Sequence, residues 1–275
     1  MKSNLSGQVV LVTGASGGIG SGIARAFAAE GARVVLHYHR GRERVAALGR
    51  DLAGADVLAV QADLRSEAQV KRLFARAVKR FGRVDTLIAN AGAWEIREIG
   101  LQEMSLRQWR QTFEGVATSA FLTLREFLRQ VARHKRGNAV LIASTAAIFG
   151  EAGHADYAAA KAALAYGLLR SAKNEIARLA PHTHDYCGGR INCISPGWTL
   201  VPRVAAKLRD HATLRKVAST MALPQLGRPE DMAQAAVFLS SDTLARHITG
   251  QNFIIAGGME GRRLWGEEEL DPTSM

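Results

Sequence analysis

Short, nearly continuous apolar runs alternate along this chain with longer stretches in which apolar residues recur every three or four positions. Residues 9–12 are Val-Val-Leu-Val, apolar at every position, as a strand covered on both faces must be. The pattern predicts a helix over 19–30, a strand over 33–37, a helix over 42–51 and a strand over 57–60. It continues with a helix over 67–80, where Val70, Leu73, Phe74, Ala77 and Val78 form one stripe at helical spacing. A strand over 84–89 precedes one long helix over 105–134. A strand over 139–143 precedes a second long helix over 157–179. Strands over 191–194 and 252–255 flank a helix over 229–239, with Pro229 at a first-turn position where its missing N–H costs nothing. Seven apolar strands with helical crossovers predict an α/β fold, a doubly wound seven-stranded parallel sheet with helices on both faces.

No repeat or low-complexity linker divides the chain, so residues 1–261 are expected to form a single domain. Two segments break the rhythm. Residues 181–189 read as a polar loop. Residues 262–275 read as an acid-ended tail, expected to be mobile or docked on another subunit. No apolar run reaches the roughly 18 residues that a membrane span needs. The N-terminus lacks the succession of a secretory signal, so a cytoplasmic protein is expected.

Charge narrows the partners. Lys plus Arg number 36 and Asp plus Glu 25, a net +11, which favours anionic ligands such as a phosphorylated cofactor or an acidic substrate. The arginines are scattered, with no basic run interleaved with aromatics, and no nucleic-acid partner is expected. Cys187 and Cys193 form neither a disulfide framework nor a zinc spacing. His182, His184 and Asp185 have no third ligand cluster nearby, so no metal site is expected.

Chemistry enters at the end of the first strand, in Thr13-Gly14-Ala15-Ser16-Gly17-Gly18-Ile19-Gly20. Glycines there allow a tight turn, close backbone approach to a pyrophosphate, and close helix–strand packing, while the following helix start offers free N–H groups. The position between a strand and a helix is the context a Rossmann-type dinucleotide loop requires. Gly14, Ser16, Gly18, Ile19 and Gly20 are therefore candidate cofactor ligands.

This string resembles the cofactor signature of the short-chain dehydrogenase/reductase family, and the similarity covers roughly residues 6–260. The resemblance implies further contacts. Asn90-Ala91-Gly92 matches the motif beside the adenosine ribose, with Asn90 and Gly92 as ligands. Asp63 and Leu64 match the pair that caps the adenine. Pro196 and Gly197 match the pair beside the nicotinamide. Many relatives place at position 201 a threonine that meets the carboxamide. This chain has Val201, and Thr199 is the expected substitute.

Residues 37–42, His-Tyr-His-Arg-Gly-Arg, decide between NAD and NADP. An acidic side chain at the end of the second strand repels a 2′-phosphate. Here Tyr38 stands in that position, and Arg40 and Arg42 supply charge for phosphate contacts. The run His37, Tyr38, His39, Arg40 is similar to the segment that grips the 2′-phosphate in pteridine reductases of the family, which points to NADP(H). One departure is Gly17, where many NADP-preferring relatives carry a basic residue.

Tyr157 and Lys161 lie four apart, hence on one helical face. A cation so placed is expected to lower the tyrosine's pKa from about 10 toward working pH and make it a general acid/base. Ser144 stands where the family keeps its catalytic serine. The resemblance implies that hydride passes between nicotinamide and a carbonyl carbon while Tyr157 exchanges the proton, and that Lys161 also bonds the nicotinamide ribose. Val116 occupies the position of the family's relay asparagine, which implies a shifted or weakened relay. It also keeps open an alternative, a weakly active or inactive dinucleotide sensor or scaffold.

The substrate classes the resemblance admits are a 3-oxoacyl thioester, a sugar, a steroid-like ketone and a pterin. The segment over 199–225 would choose among them, with Trp94 and His154 as candidate pocket residues. The long helices carry apolar residues on several faces, and relatives assemble through them, so a homotetramer is expected.

Overall fold

The structure is a computed structural model that describes residues 2–92, 97–208, 210–263 and 265–271 of the 275. Seven parallel strands form one sheet in the order β3-β2-β1-β4-β5-β6-β7. They are β1 (Val9–Val12), β2 (Arg33–Tyr38), β3 (Val57–Gln61), β4 (Thr86–Ala89), β5 (Asn138–Ile142), β6 (Arg190–Pro196) and β7 (Asn252–Ile255). The predicted fold class is the observed one.

Alternation along each strand builds two cores. On β1, Val9 and Leu11 join one cluster, and on β5 Ala139 and Leu141 do the same. That cluster contains Leu73 and Phe74 of α3 (Glu67–Phe81), Phe127 of α5 (Ser119–His134) and Ile176 of α8 (Leu169–Leu179). Val10, Val12, Val140 and Ile142 face the opposite cluster. There they meet Ile23 and Phe27 of α1 (Gly18–Ala29), Leu48 of α2 (Arg42–Asp51) and Met232 of α11 (Pro229–Ser240). The central strands β1, β4 and β5 read as nearly continuous apolar runs because both of their faces are covered.

Winding reverses between β1 and β4. Val12 of β1 pairs with Leu36 of β2 on one side and Ile88 of β4 on the other. At such a switch point the connections diverge to opposite faces and leave a crevice outside the carboxyl ends of the strands.

Both long helices depart from the prediction in the same way. The first runs as α4 (Leu106–Phe113), a π-helical turn (Glu114–Thr118) and α5. The second runs as α7 (Ala155–Ala162), a π-helical turn (Ala163–Leu168) and α8. A π turn widens the helix and leaves carbonyls without their usual partners. Ser119 Oγ donates to the Gly115 and Val116 carbonyls at 2.8 and 3.2 Å. The hydrophobic stripe passes through both turns, so periodicity alone does not reveal them.

Residues 199–225 contain two helices, α9 (Pro202–Lys207) and α10 (His211–Ala218), between β6 and α11; the remaining helix, α6 (Ala146–Phe149), follows β5. The described part of the tail, 262–263 and 265–271, packs in part on its own chain. Trp265 Nε1 donates to the Met221 carbonyl at 2.6 Å, and Leu270 is buried. One indole and one leucine anchor that part. Among the described residues no helix is long and apolar enough to cross a membrane.

Candidate active site

A cavity of about 780 Å³ opens at the carboxyl ends of β1, β2, β4, β5 and β6. Its floor is the turn from β1 into α1. Gly14 has φ +67°, and a Cβ there would lie 3.0 Å from Ala91 Cα. A Cβ on Gly18 would overlap the Val201 side chain, and one on Gly20 would overlap the Gly14 carbonyl and lie 2.7 Å from Asn90 Nδ2. No side chain caps α1, and its first turn carries no acidic residue. The cavity therefore meets a helix start with uncommitted N–H donors and a positive dipole end, a fit for a pyrophosphate. Ser16 and Ile19 line the same stretch.

Asn90 stitches this turn to the end of β4. Its Nδ2 donates to the Thr13 and Gly14 carbonyls at 2.9 and 3.3 Å, and its own N–H donates to Thr13 Oγ1 at 2.9 Å. Gly92 lines the cavity beside Lys161.

The β2 side divides the predicted residues. His37 is buried and bridges three strand ends: Nδ1 accepts from the Gly14 N–H at 3.1 Å, and Nε2 donates to the Ala62 carbonyl at 3.0 Å. Burial holds this imidazole neutral, with a pKa pushed down to about 4. His39 and Arg40 line the cavity, and so does Arg44. Arg42, and not Arg44, was the second arginine expected there. Tyr38 packs against the core cluster and lies outside the lining. Leu64 is a core residue. Asp63 faces a second groove with Arg65, Ser66 and Arg107. Its carboxylate accepts from Arg65 Nε and Nη2 at 3.0 and 2.8 Å, and this pairing holds its pKa to about 2.

Ser144, Tyr157 and Lys161 converge on the opposite wall. The end of β5 supplies the serine, whose Oγ accepts from the Ala146 N–H at 3.2 Å. α7 supplies the other two. Its start is fixed by Asp156, which is buried and accepts from Thr112 Oγ1 at 2.6 Å, Gln108 Nε2 at 3.2 Å and the Tyr157 N–H at 2.8 Å. Lys161 is buried and donates to the Ile142 carbonyl at 2.7 Å, with Nζ 5.7 Å from the centre of the Tyr157 ring. Burial lowers its pKa to about 8, against a smaller opposing effect of Cys193.

The expected lowering of the Tyr157 pKa is not found. Burial pushes the phenol above its ordinary value, and a hydrogen bond from Ser144 offsets this only in part. Desolvation of the phenolate outweighs a lysine directed at the Ile142 carbonyl. Val116 is fully buried on the first π turn. Its Cγ2 and Lys161 Nζ lie 3.6 and 3.4 Å from where a Cβ on Gly92 would be, so all three share one small space.

Pro196, Gly197 and Thr199 line the cavity on the β6 side, with Thr199 Oγ1 donating to the Gly197 carbonyl at 3.0 Å. The lining is completed by residues that include Phe149, Trp198, Arg203 and Met259, none of which the sequence motifs singled out. His154 is buried beside Glu151, 3.2 Å away, and does not line the cavity. Trp94 lies outside the described residues. Among the described residues no group of three or more potential ligands could hold a metal.

Set beside known proteins, residues 14–260 match the family model described as enoyl-(acyl carrier protein) reductase. The 3-oxoacyl-[acyl-carrier-protein] reductase of Synechocystis sp. is 32% identical over 257 residues, 93% of this chain and 98% of that protein. The cis-4-hydroxycyclohexanecarboxylate dehydrogenase of Sinomonas cyclohexanicum is 35% identical over 253 residues, 91% and 96% of the two chains. The L-fucose dehydrogenase of Bos taurus is 34% identical over 269 residues, 94% and 92% of the two. The chain belongs to the short-chain dehydrogenase/reductase family and is an oxidoreductase of that type. A non-catalytic sensor or scaffold is not favoured.

Proposed function

We propose that this chain is an NADP(H)-dependent carbonyl reductase/alcohol dehydrogenase that acts on a small ketone or 3-oxoacyl thioester. One observation carries the reading: a serine hydroxyl, a phenol and a buried ammonium share one cavity with an uncapped, glycine-rich helix start. Residues 14–20, His37, His39, Arg40, Asn90, Gly92, Pro196, Gly197 and Thr199 are assigned to the cofactor. Tyr38, Asp63 and Leu64, which do not line the cavity, are proposed for that role on the resemblance alone. Tyr38 stands where an acidic side chain would repel a 2′-phosphate, and His39 and Arg40 line the cavity just beyond it, which supports NADP(H) over NAD(H).

A dinucleotide bound along the glycine turn supplies hydride exchange with the substrate carbon. Ser144 donates a hydrogen bond to the substrate oxygen and orients it. Tyr157, kept protonated by burial, delivers its hydroxyl proton to that oxygen in the reductive direction and recovers it in the oxidative one. Lys161, with a pKa near 8, changes protonation close to neutrality and serves as the next proton site. Phe149, Trp198 and Met259 offer apolar surface for the carbon skeleton of the substrate.

Residues 1–261 are read as the catalytic domain, with 262–275 as its tail, in a cytoplasmic homotetramer. Phe121 and Tyr166, 43% and 44% exposed on the two long helices, are apolar surface suited to such an interface. Tyr157→Phe keeps the ring and removes the proton. It is expected to leave NADPH affinity unchanged and lower ketone turnover about a hundredfold or more. Undiminished turnover would move the chemistry elsewhere.

A further inference from the structure

The glycine-rich turn carries no cation of its own, since position 17 is glycine, yet the structure brings one to it from a different element. Gly41 takes φ +82° and turns the chain so that the first turn of α2 faces back toward the loop. Arg44 Nε donates to the Ser16 carbonyl at 3.1 Å, while Ser16 Oγ donates to the Arg40 carbonyl at 3.2 Å. The guanidinium crosses directly over Gly41, where a Cβ would lie 2.5 Å from Nη2. Glycine at that position thus provides both the left-handed turn and the passage for the side chain.

Arg44 lines the cavity together with His39 and Arg40. Its charge is uncommitted, unlike that of several other arginines of the chain. Arg25 pairs with Asp51, Arg65 with Asp63 and Arg80 with Asp56. Among the described residues no carboxylate pairs with Arg44, whose hydrogen bond goes to a backbone oxygen. A guanidinium fixed through Nε still presents its Nη donors in a fixed plane, so binding an anion costs little further side-chain order.

We propose that Arg44 is a specificity-determining residue that binds the 2′-phosphate of the adenosine ribose, and so does from α2 what a basic residue at position 17 would do from the loop. This rests on the reading of the cavity as an NADP(H) site. Arg40 and Arg44, which both line the cavity, would then share the phosphate, and Arg42, which does not line it, takes no part.

The test is titration of the full chain with adenosine 2′,5′-bisphosphate and with 5′-AMP, two probes that differ only in the phosphate at issue. The unmodified protein is expected to favour the bisphosphate by about tenfold or more. Arg44→Ala is expected to remove most of that ratio while changing 5′-AMP affinity less than about twofold. Arg44→Gln keeps a donor for the Ser16 carbonyl and removes only the charge, and it is expected to behave like the alanine variant. Arg42→Ala is expected to leave both affinities unchanged. No preference in the unmodified protein would overturn the NADP(H) reading and this assignment with it. A preference that survives Arg44→Ala or Arg44→Gln, or vanishes in Arg42→Ala, would overturn the assignment alone. Equal loss of both probes in Arg44→Ala would also overturn it, because the side chain would then be holding the loop and not reading the phosphate.

Discussion

His37 offers a test of how the dinucleotide loop is held. Its ring accepts from the Gly14 N–H and donates to the Ala62 carbonyl, an arrangement open only to the neutral imidazole. Protonation would set one N–H against another. Burial is the main cause of its depressed pKa; the neighbouring charges are His39, which adds to the depression, and Asp63, which opposes it. The unfolded chain takes up a proton near pH 6.5, and the folded chain only near 4. Between these values the unfolded state binds more protons, so stability falls as pH falls. The group's full contribution is present above 6.5, and the loss reaches about 3 kcal/mol by pH 4. Asp63, held to about 2 from an ordinary 3.8, loses its own contribution only in a lower window. The perturbation is His37→Asn, whose side-chain oxygen can accept from Gly14 and does not titrate. At pH 7.5 the variant should be less stable by about 1–3 kcal/mol, because the Ala62 carbonyl loses its donor. Urea unfolding at stepped pH should then show this gap shrinking by roughly 2–3 kcal/mol between pH 6.5 and 4.5. Parallel stability curves for the two proteins over that range would refute the account.

Two further outcomes follow from the packing. Gly20→Ala puts a Cβ against the Gly14 carbonyl and Asn90 Nδ2, and is expected to cost about 1–3 kcal/mol and to abolish dinucleotide binding; a parental melting temperature and affinity would contradict this. Val116→Asn places an amide beside Lys161 and Gly92, and is expected to raise or preserve turnover with an altered pH profile, at a cost of about 1–3 kcal/mol in stability. A stably folded variant with the parent's pH–rate profile and solvent isotope effect would remove position 116 from the proton path.

What the sequence made legible was local. Val9 to Val12 and residues 139–143 declare buried strands because every side chain is apolar. The glycine turn and the pair Tyr157 and Lys161 declare themselves by spacing. The missing parts depend on tertiary approach. The π turn around Val116 is hidden from periodicity because the helix is apolar on several faces, which blurs the phase jump of about 100° that one extra residue makes. Arg44 reaches Ser16 only because Gly41 turns the chain, and a spacing argument selected Arg42. Asp63 matched its motif, yet Arg65 two residues on engages both carboxylate oxygens. Proximity in sequence likewise suggested a lowered Tyr157 pKa, and burial reversed the sign.

Gly18 and Val201 stand 183 positions apart in the sequence and in contact in the fold. Any Cβ at 18 collides with Val201, the residue from which α9 departs on the substrate side. The two ends of the cavity are therefore not mutationally separable at this point. A substitution at 18, selected or designed to alter the dinucleotide, would shift the base of α9 and register as a change in substrate range. A bulkier residue at 201 would press on the phosphate turn and register as a change in cofactor affinity. Diversification of this site thus has to pass through compensated pairs at 18 and 201, one shrinking as the other grows.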